Sequence, residues 1–134
     1  MPDASLAVQA AIIGALRAAP AVTALVTNRI YDRPSPQAFM PYISSGPEDW
    51  QQTDGVGLLS HTGALQIDVW SVADGMTETA RIANAVQDAL HQKNLTLENG
   101  NLVMLLHRVT RYLTEADGQT THAAMDFRAL TQES

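Results

Sequence analysis

The chain has 134 residues, 46% of them hydrophobic and 16% charged, and its formal net charge is −6. A chain of this size and composition is typical of one folded domain and not of a disordered protein. The sequence has no cysteine, which excludes disulfides, thiolate catalysis and cysteine-ligated metal sites. Its eight lysine and arginine residues form no cluster, whereas proteins that grip nucleic acid normally present a basic patch.

The sequence also gives no reason to expect a membrane segment. The longest apolar stretch, residues 10–16, is too short to span a bilayer, and the N-terminus lacks the basic region of a signal peptide. We therefore expect a soluble protein of intracellular origin with no membrane partner. The low charged fraction suggests that part of the surface is buried against other subunits.

The first third of the chain predicts two helical segments and two short strands. A helix is expected from Ser5, its N-cap, to about residue 19, with Pro20 ending it. A second helical turn follows at residues 21–26, then a short extended piece at 29–32 and the start of a strand at 41–44. The first helix should bury an apolar stripe formed by Leu6, Ala10, Ile12, Ile13 and Leu16.

The middle of the chain predicts a loop, a strand and a helix. Residues 48–60 contain acidic residues, glutamines and glycines with little periodicity, which indicates a long loop. Alternation at residues 63–71 predicts a strand with Gln66, Asp68 and Trp70 on its polar face. A helix is expected at residues 76–91, followed by a brief strand around residues 95–97. Its buried side should hold Met76, Ala80, Ala83, Val86 and Leu90.

The C-terminal part predicts a β-hairpin of residues 101–113 and 120–130. Asp117-Gly118 between them favours a type I′ turn, which places Ala116 opposite Gln119. This register assigns Leu102, Met104, Leu106, Met125, Phe127 and Ala129 to the core side. It assigns a mixture of apolar and polar residues to the opposite face: Val103, Leu105, His107, Val109, Arg111, His122, Asp126, Arg128 and Leu130. We expect a neighbouring subunit to cover part of that mixed face.

Together these elements predict an α+β fold in which two main helices pack on one face of an antiparallel β-sheet. We expect residues 1–134 to form a single domain. The order of helices and strands shows no internal repeat and no linker.

No arrangement of residues in the sequence favours catalysis or a metal site. The four histidines lack the H-x-x-x-H spacing that places two imidazoles on one side of a helix, although His107 and His122 are predicted to share a face of the hairpin. No G-x-S-x-G elbow is present, and Gly55-Val56-Gly57 lacks the third glycine of a phosphate-binding loop. We therefore predict no enzyme activity, no catalytic or metal-binding residue and no cofactor.

The two tryptophans are prominent in a chain with only 5% aromatic residues. Trp50 is predicted to lie in the long loop and Trp70 on the polar face of its strand. Each ring can either fold back on the core of its own chain or dock on a neighbouring subunit, and the sequence leaves both interpretations open.

Short stretches spread along nearly the whole chain carry a resemblance to a known family. They are Val22-Thr23-Ala24-Leu25-Val26, Arg29-Ile30-Tyr31-Asp32, Pro41-Tyr42-Ile43, His61-Thr62-Gly63, Val69-Trp70-Ser71, Ile82-Ala83-Asn84-Ala85-Val86, Arg111-Tyr112-Leu113, Asp117-Gly118 and Phe127-Arg128-Ala129-Leu130. In this order they resemble a family of phage tail-completion proteins that is also found in gene transfer agents. Each stretch is structurally ordinary, and their succession carries the resemblance.

The resemblance implies a tail terminator, a structural protein of a virion or phage-like particle that is assembled in the bacterial cytoplasm. Such subunits form a homo-oligomeric ring, typically a hexamer, at the head-proximal end of the tail tube. The ring stops polymerisation of the tail tube protein and presents a surface to the head-tail connector or stopper protein. The resemblance implies no catalytic residue.

In such a ring DNA passes through the lumen without specific binding, and this leads to two hypotheses about the roles of particular residues. Acidic walls repel phosphates and let DNA slide, so a lumen-facing loop is assigned to Glu48, Asp49 and Asp54. Subunit-interface roles are assigned to Arg29, Tyr31, Asp32, Trp50, Trp70, His107, Arg111, Asp126 and Arg128. For Arg29 and Asp32, an intramolecular ion pair is the alternative.

Two other functional classes stay open on the sequence alone. The chain could be another neck protein, such as a head-tail connector or adaptor, which would also have no catalytic or metal-binding residues. It could also be a small enzyme or ligand-binding domain with a pocket under the predicted Trp50 loop.

Overall fold

The structure, a computed structural model, describes residues 4–54, 59–97 and 101–132. Three helices and five strands lie within these ranges. The helices are α1 (Ser5–Arg17), α2 (Pro20–Val26) and α3 (Thr77–Leu90). The strands are β1 (Ile30–Tyr31), β2 (Tyr42–Asp54), β3 (Leu59–Ser71), β4 (Asn101–Thr114) and β5 (Thr121–Gln132).

The strands form one five-stranded sheet in the order β1-β2-β3-β5-β4. Every neighbouring pair is antiparallel except β1 and β2, which are parallel. The helices pack on one face of this sheet, and we call the other face the helix-free face. The predicted α+β class, with helices on one side of an antiparallel sheet, is confirmed.

The core lies between the helices and the face of the sheet that they cover. Alternate residues of β3 and β5 supply the sheet side of the core, as period-two spacing requires. The fully buried side chains with the largest volumes are Phe127, Leu16, Ile30, Ile43, Ile82, Leu90, Leu105, Met125, Val8, Val22, Val26 and Val69.

The buried stripe of α1 differs in part from the prediction. Ile12 and Leu16 are buried as expected, but Leu6 is 80% exposed and Val8 takes its place. Residues 8, 12 and 16 recur at intervals of four, which keeps them on one helix face, whereas Leu6 points away from it. The helix begins at Ser5 itself, so the N-cap position belongs to Ala4.

The buried side of α3 was also predicted in part. Ala83, Val86 and Leu90 are buried as expected, joined by Thr79 and Ile82 in place of Met76 and Ala80. A buried threonine is tolerated here because its hydroxyl lies 2.6 Å from that of Thr121, so the polar groups satisfy each other. The brief strand predicted around residues 95–97 is reduced to a single β-bridge at Thr96, and Leu97 is buried in the core.

The prediction of a long loop at residues 48–60 is wrong for the part of this segment that the structure describes. Glu48 to Asp54 continues β2 and pairs with β3, from Glu48 opposite Leu65 to Asp54 opposite Leu59. A bulge lies between Ser45 and Glu48. The segment lacks alternating hydrophobicity because most of its side chains are exposed.

The register of the β4–β5 hairpin is confirmed next to the turn, where Thr114 pairs with Thr121. The predicted type I′ turn is wrong. The backbone N–H of Gly118 donates to the carbonyl of Glu115, and among these turn residues only Gly118 has a positive φ, +73°. The Asp117 carboxylate accepts hydrogen bonds from the Thr120 hydroxyl and from the backbone N–H groups of Thr120 and Gln119, which lower its pKa.

Two bulges in β4 change which side chains face the core. One lies between Leu102 and Met104 and the other between His107 and Val109. Because each extra residue inverts the alternation, Leu105 is fully buried and Met104 is 38% exposed, contrary to the prediction. Leu102 lies beyond both bulges and is buried as predicted.

Candidate assembly surfaces

Four aromatic rings form a row across one end of the helix-free face. Tyr31 contacts Tyr42 edge-on with ring centroids 5.7 Å apart, and Tyr42 lies 6.4 Å from Trp70. Trp70 stacks on His122 at 3.8 Å and 10°. Strand register produces the row, since Tyr42 pairs with Trp70 and Trp70 with His122. The Trp70 ring therefore packs within its own sheet, and its Nε1 donates to Ser44 Oγ.

His122 lies at the centre of a buried polar network. Its Nε2 is 2.6 Å from Asp68 Oδ1, and its Nδ1 is 3.0 Å from Glu115 Oε1. Both ring nitrogens thus face carboxylate oxygens. Asp68 is only 5% exposed and His122 only 9%.

The bulge in β2 encloses this network. A Cβ placed on Gly46 would lie 2.6 Å from Asp68 Oδ2, so the glycine allows the β2 backbone to cover the carboxylate closely. Gln66 donates from Nε2 to Asp68 Oδ1 at 2.8 Å. Each buried side-chain nitrogen and oxygen atom in the described ranges has a hydrogen-bond partner. The network is therefore a satisfied structural element.

The network offers no arrangement for nucleophilic catalysis. Ser44 Oγ accepts the Trp70 indole N–H, and both His122 nitrogens are occupied by carboxylates, so neither is free to serve as a base. Among residues 4–54, 59–97 and 101–132, no group of three histidine, aspartate or glutamate side chains could hold a metal ion.

Trp50 folds back on the sheet of its own chain. Its ring packs against the core and covers Gly63, its cross-strand partner, where an added Cβ would meet the ring at 2.7 Å. Trp50 Nε1 donates to Glu48 Oε1. Trp50 belongs to a strand and not to a loop, so it does not cover a pocket of the kind expected for a ligand-binding domain.

Two surface depressions lie elsewhere, and neither is lined by Trp50. One, of about 550 Å³, lies between the start of α3 and the β4–β5 turn, and its lining includes Val72, Met76 and Gln119. The other, of about 610 Å³, lies between residues 32–34 and 45–47. Both open widely to solvent, unlike the enclosed apolar pockets typical of small-molecule sites.

Arg29 positions the chain before β2 and does not pair with Asp32. Its Nε donates to the Pro41 carbonyl at 2.8 Å, and its Nη1 donates to Thr27 Oγ1. The intramolecular Arg29–Asp32 ion pair considered from the sequence is therefore not formed. Asp32 is exposed and is free to contact another molecule.

The candidate interface residues of the hairpin are divided between the two faces. Asp126 and Arg128 lie on the helix-free face and form a partly exposed pair at 3.2 Å. His107 lies on the side of the helices, edge-on against Phe127 at 5.4 Å. The prediction that His107 shares a face with His122 is wrong, because the bulge after His107 turns it over.

Burial affects the titration of two groups near these surfaces. Burial lowers the pKa of His107, the nearby His91 lowers it further, and Asp126 opposes this. The backbone N–H of His107 donates to His91 Nδ1. Burial also raises the pKa of Tyr42, and Tyr31 raises it further.

No single helix in the described ranges is long and apolar enough to cross a bilayer. Only α1 and α2 taken together reach that length and composition, and a bend of 81° separates them.

Comparison with known proteins identifies the family. One solved structure, a chain in the virion of a native gene transfer agent particle, superposes with a TM-score of 0.89 at 29% sequence identity. The similarity covers 96% of this chain and 96% of that one. No curated protein matches. The family model described as tail completion protein gp17 matches residues 10–132. The chain therefore belongs to the tail completion protein gp17 family and is a structural component of a phage-type tail.

Proposed function

We propose that this chain is the tail terminator, a ring of identical copies on the head-proximal end of the tail tube. The observation that carries the proposal is the match to the tail completion family over residues 10–132. Similarity over 96% of the chain to a protein of a gene transfer agent virion supports the same role. The ring ends polymerisation of the tail tube protein and joins the tube to the head connector.

The chemistry of the surface supports a role in assembly. Closing a ring of identical subunits requires two different patches on each copy that meet head to tail. The helix-free face and β4 supply exposed apolar residues beside the charged pair Asp126 and Arg128. The proposed interface also includes Arg29, Tyr31 and Asp32 at the start of the sheet.

The residues of the proposed acidic lumen lie on both faces of β2. Successive strand residues point to opposite faces. Glu48 pairs with the buried Leu65 and lies on the helix side, whereas Asp49 pairs with Ala64 and lies on the helix-free face. A channel lined by one face therefore receives only one of these two carboxylates. The side chain of Asp54 lies outside the described residues.

Deleting the gene from a strain that produces the particles tests the terminator role. Without a terminator, tube growth has no stop at its head end, so electron micrographs should show abnormally long or headless tails. Expression of the wild-type chain from a plasmid should restore tails of normal length.

Two outcomes of the deletion would contradict the proposal. Tails of normal length that fail to join heads would identify a connector or adaptor. Normal, infectious or DNA-transferring particles would show that the chain has no essential role at the neck. A labelled antibody that binds at the distal tail tip would exclude the proposed location.

A further inference from the structure

The solvent side of α1 is almost free of charge. It exposes Leu6, Ala10 and Gly14, which follow one another at intervals of four residues and therefore share one helix face. We call these three residues the outer stripe. The only charged residue of the helix, Arg17, donates from Nη2 to the carbonyl of Ile30 in its own chain. A helix that is apolar on nearly all sides is normally buried on more than one side.

Nothing within the chain requires a glycine at position 14. Gly14 lies inside α1 without a positive φ, and an added Cβ would meet nothing within 4 Å. A glycine inside a helix lowers its stability by about 1 kcal/mol relative to alanine. Glycine is used where another backbone or molecule approaches closely. Gly14 therefore indicates close approach by a neighbouring molecule.

The helix-free face of the sheet has a polar half and an apolar half. On β2 and β3 it carries polar side chains, among them Gln51 and Thr62, which pair with each other. On β4 and β5 most of its side chains are apolar, and direct cross-strand pairing places them together. We call this apolar half the hairpin face. It consists of Met104, Leu106, Val109, Leu113 and Leu130.

Most of the exposed apolar side chains belong to these two surfaces. Of the seven large hydrophobic residues exposed in the described chain, four lie on the outer stripe or the hairpin face. They are Leu6 (80%), Met104 (38%), Val109 (45%) and Leu113 (44%). An apolar sheet face is normally covered by a layer of helices. In the described ranges, the sheet has such a layer on its other face only.

Both surfaces come mainly from parts of the chain without acidic residues. None of the 14 aspartate and glutamate residues lies at positions 4–31 or 99–114. Next to the hairpin face, Asp126 pairs with Arg128 at 3.2 Å, and Glu115 lies 3.0 Å from His122. Because each copy has a net charge of −6, two copies repel each other least where such surfaces meet. A second copy of the chain is therefore a suitable occupant.

The two surfaces match in length and lie on opposite sides of the molecule. The 13 residues of α1 extend over about 20 Å. The hairpin face runs from Leu130 to the partner of His122, eight strand residues away, which is about 26 Å. The outer stripe points away from the sheet, and the hairpin face points the other way. A contact between them leaves one surface of each kind open and so continues to further copies, as a ring requires.

Contacts between like surfaces would cover less of the chain. Two hairpin faces in two-fold contact would leave both outer stripes exposed, and two outer stripes in contact would leave both hairpin faces exposed. A contact between two hairpin faces would also bring Arg111 of one copy toward Arg111 of the other, and like charges at a contact are unfavourable. The head-to-tail arrangement covers both surfaces of every copy in a closed ring.

We propose that α1 of one copy packs through its outer stripe on the hairpin face of the next copy. Each sheet then has its own helices on one face and the neighbour's α1 on the apolar half of the other. The proposal rests on the proposed ring function and adds to it which surfaces meet. The polar half of the helix-free face, with Asp49 and Gln51, stays uncovered.

Mixing two variants that each lack one surface tests this contact with the full-length chain. The helix variant carries L6E and A10E, and the sheet variant carries V109E and L113E. All four side chains are exposed, so the substitutions should leave the fold intact, which thermal unfolding verifies. Association is measured by sedimentation velocity and native mass spectrometry over a range of concentrations.

Each variant alone should associate at least tenfold more weakly than the wild type. An equimolar mixture should give a heterodimer and nothing larger, because the helix variant keeps its hairpin face and the sheet variant keeps its outer stripe. The matched control carries N84E on α3 and Q51E on the polar half, two exposed positions outside both surfaces. It should associate like the wild type.

Several outcomes of the mixing experiment would overturn the proposal. A dimer of the helix variant alone would show that hairpin faces pair with each other, and a dimer of the sheet variant alone would show the same for outer stripes. A mixture that stays monomeric where the wild type associates would exclude the contact. Equal association of all variants would exclude the contact and leave the ring itself in place. Binding of the wild type, but not of the helix variant, to phosphatidylcholine–phosphatidylglycerol vesicles would assign the outer stripe to a membrane.

Cross-linking in purified particles gives a second readout that does not need association in solution. Ala10 and Val109 are separated within one copy by the helix layer and the sheet, roughly 15 Å. The chain has no cysteine, so in an A10C/V109C variant a bismaleimide linker shorter than this span joins only different copies.

Particles that carry the A10C/V109C chain should give a ladder of covalent multimers, and each single-cysteine variant should give almost none. Particles with tails of normal length and no ladder would overturn the contact alone. A dimer from either single variant would indicate contacts between like surfaces and would also overturn it. A wild-type chain that is absent from purified particles would contradict the terminator role as well as the contact.

Discussion

At the scale of single residues, the network around His122 stands out. Asp68 is buried in the middle of the sheet, and its main partners are the His122 ring and the Gln66 amide. A buried carboxylate that loses its donor is costly because solvent cannot replace the lost interaction. The stacking of Trp70 on His122 links this network to the aromatic row.

His122→Phe should lower the free energy of unfolding by about 3 kcal/mol, since it keeps a ring against Trp70 but leaves Asp68 buried without its closest donor. Urea denaturation measures the change. The double variant D68L/H122F should recover most of the loss, because apolar replacement of a buried pair is often nearly neutral. A loss below about 0.5 kcal/mol in the single variant would show that the network contributes little.

His107 should make stability depend on pH. Burial holds its pKa in the folded chain below the ordinary value of 6.5. As the pH falls through 6.5, the unfolded chain binds a proton at this site before the folded chain does. The free energy of unfolding therefore falls as the medium becomes more acidic.

The substitution His107→Gln removes this titration and keeps a polar side chain near Thr110. Between pH 7 and pH 5, the stability of the wild type should decline more steeply than that of the variant, as measured by urea denaturation at several pH values. Equal slopes for the two proteins would show that the His107 pKa is not depressed in the folded state.

At the scale of helices and strands, two glycines allow opposite predictions. An added Cβ at Gly63 would lie 2.7 Å from the Trp50 ring, whereas one at Gly14, inside α1, would meet nothing within 4 Å. Gly63→Ala should therefore destabilise the chain by about 1–3 kcal/mol through overpacking. Gly14→Ala should stabilise it by about 0.5–1 kcal/mol, because alanine favours the helix.

Thermal unfolding of both glycine variants tests the pair, and Trp50 fluorescence adds a local measurement. Gly63→Ala should change the emission of the folded protein as the ring is displaced, and Gly14→Ala should not. If Gly63→Ala were as stable as the wild type with unchanged emission, the ring would not lie on the glycine as described.

The helices and the hairpin near its turn could be predicted from local sequence. Ala83, Val86 and Leu90 follow helical spacing, and the turn residues set the pairing of Thr114 with Thr121. Features that depend on contacts across the sheet could not be predicted. The bulge after His107 cannot be recognised from the alternation of apolar and polar residues, because Leu105 and Leu106 are both apolar and either could face the core.

The continuation of β2 through residues 48–54 was missed for a related reason. A strand with one free edge and mostly exposed side chains resembles a polar loop in sequence, so Glu48 and Asp49 gave no strand signal. The contact between Asp68 and His122 joins residues 54 positions apart. It depends on the pairing of β3 with β5, which neither strand specifies by itself.

At the scale of the whole molecule, the net charge of −6 predicts a dependence on ionic strength. Identical copies repel one another through this like charge, and salt screens the repulsion. Association of the wild type should therefore strengthen or stay constant when the salt concentration rises from about 0.05 M to about 0.5 M, as measured by sedimentation velocity. Association that weakens over this range would show that attraction between opposite charges dominates the contact between copies.

The two extra residues in β4 also decide which changes in the length of this strand can be tolerated. His107 pairs with Phe127 and Val109 with Asp126, so these two residues already occupy successive rungs on opposite faces of the sheet. Deleting Arg108 would therefore remove the bulge and leave the other side chains of the strand on their present faces. Deleting Leu106 instead would move the residues on one side of it to the opposite face. Functional relatives should therefore differ in the length of this strand at the two bulge positions, and each position can be lost by itself.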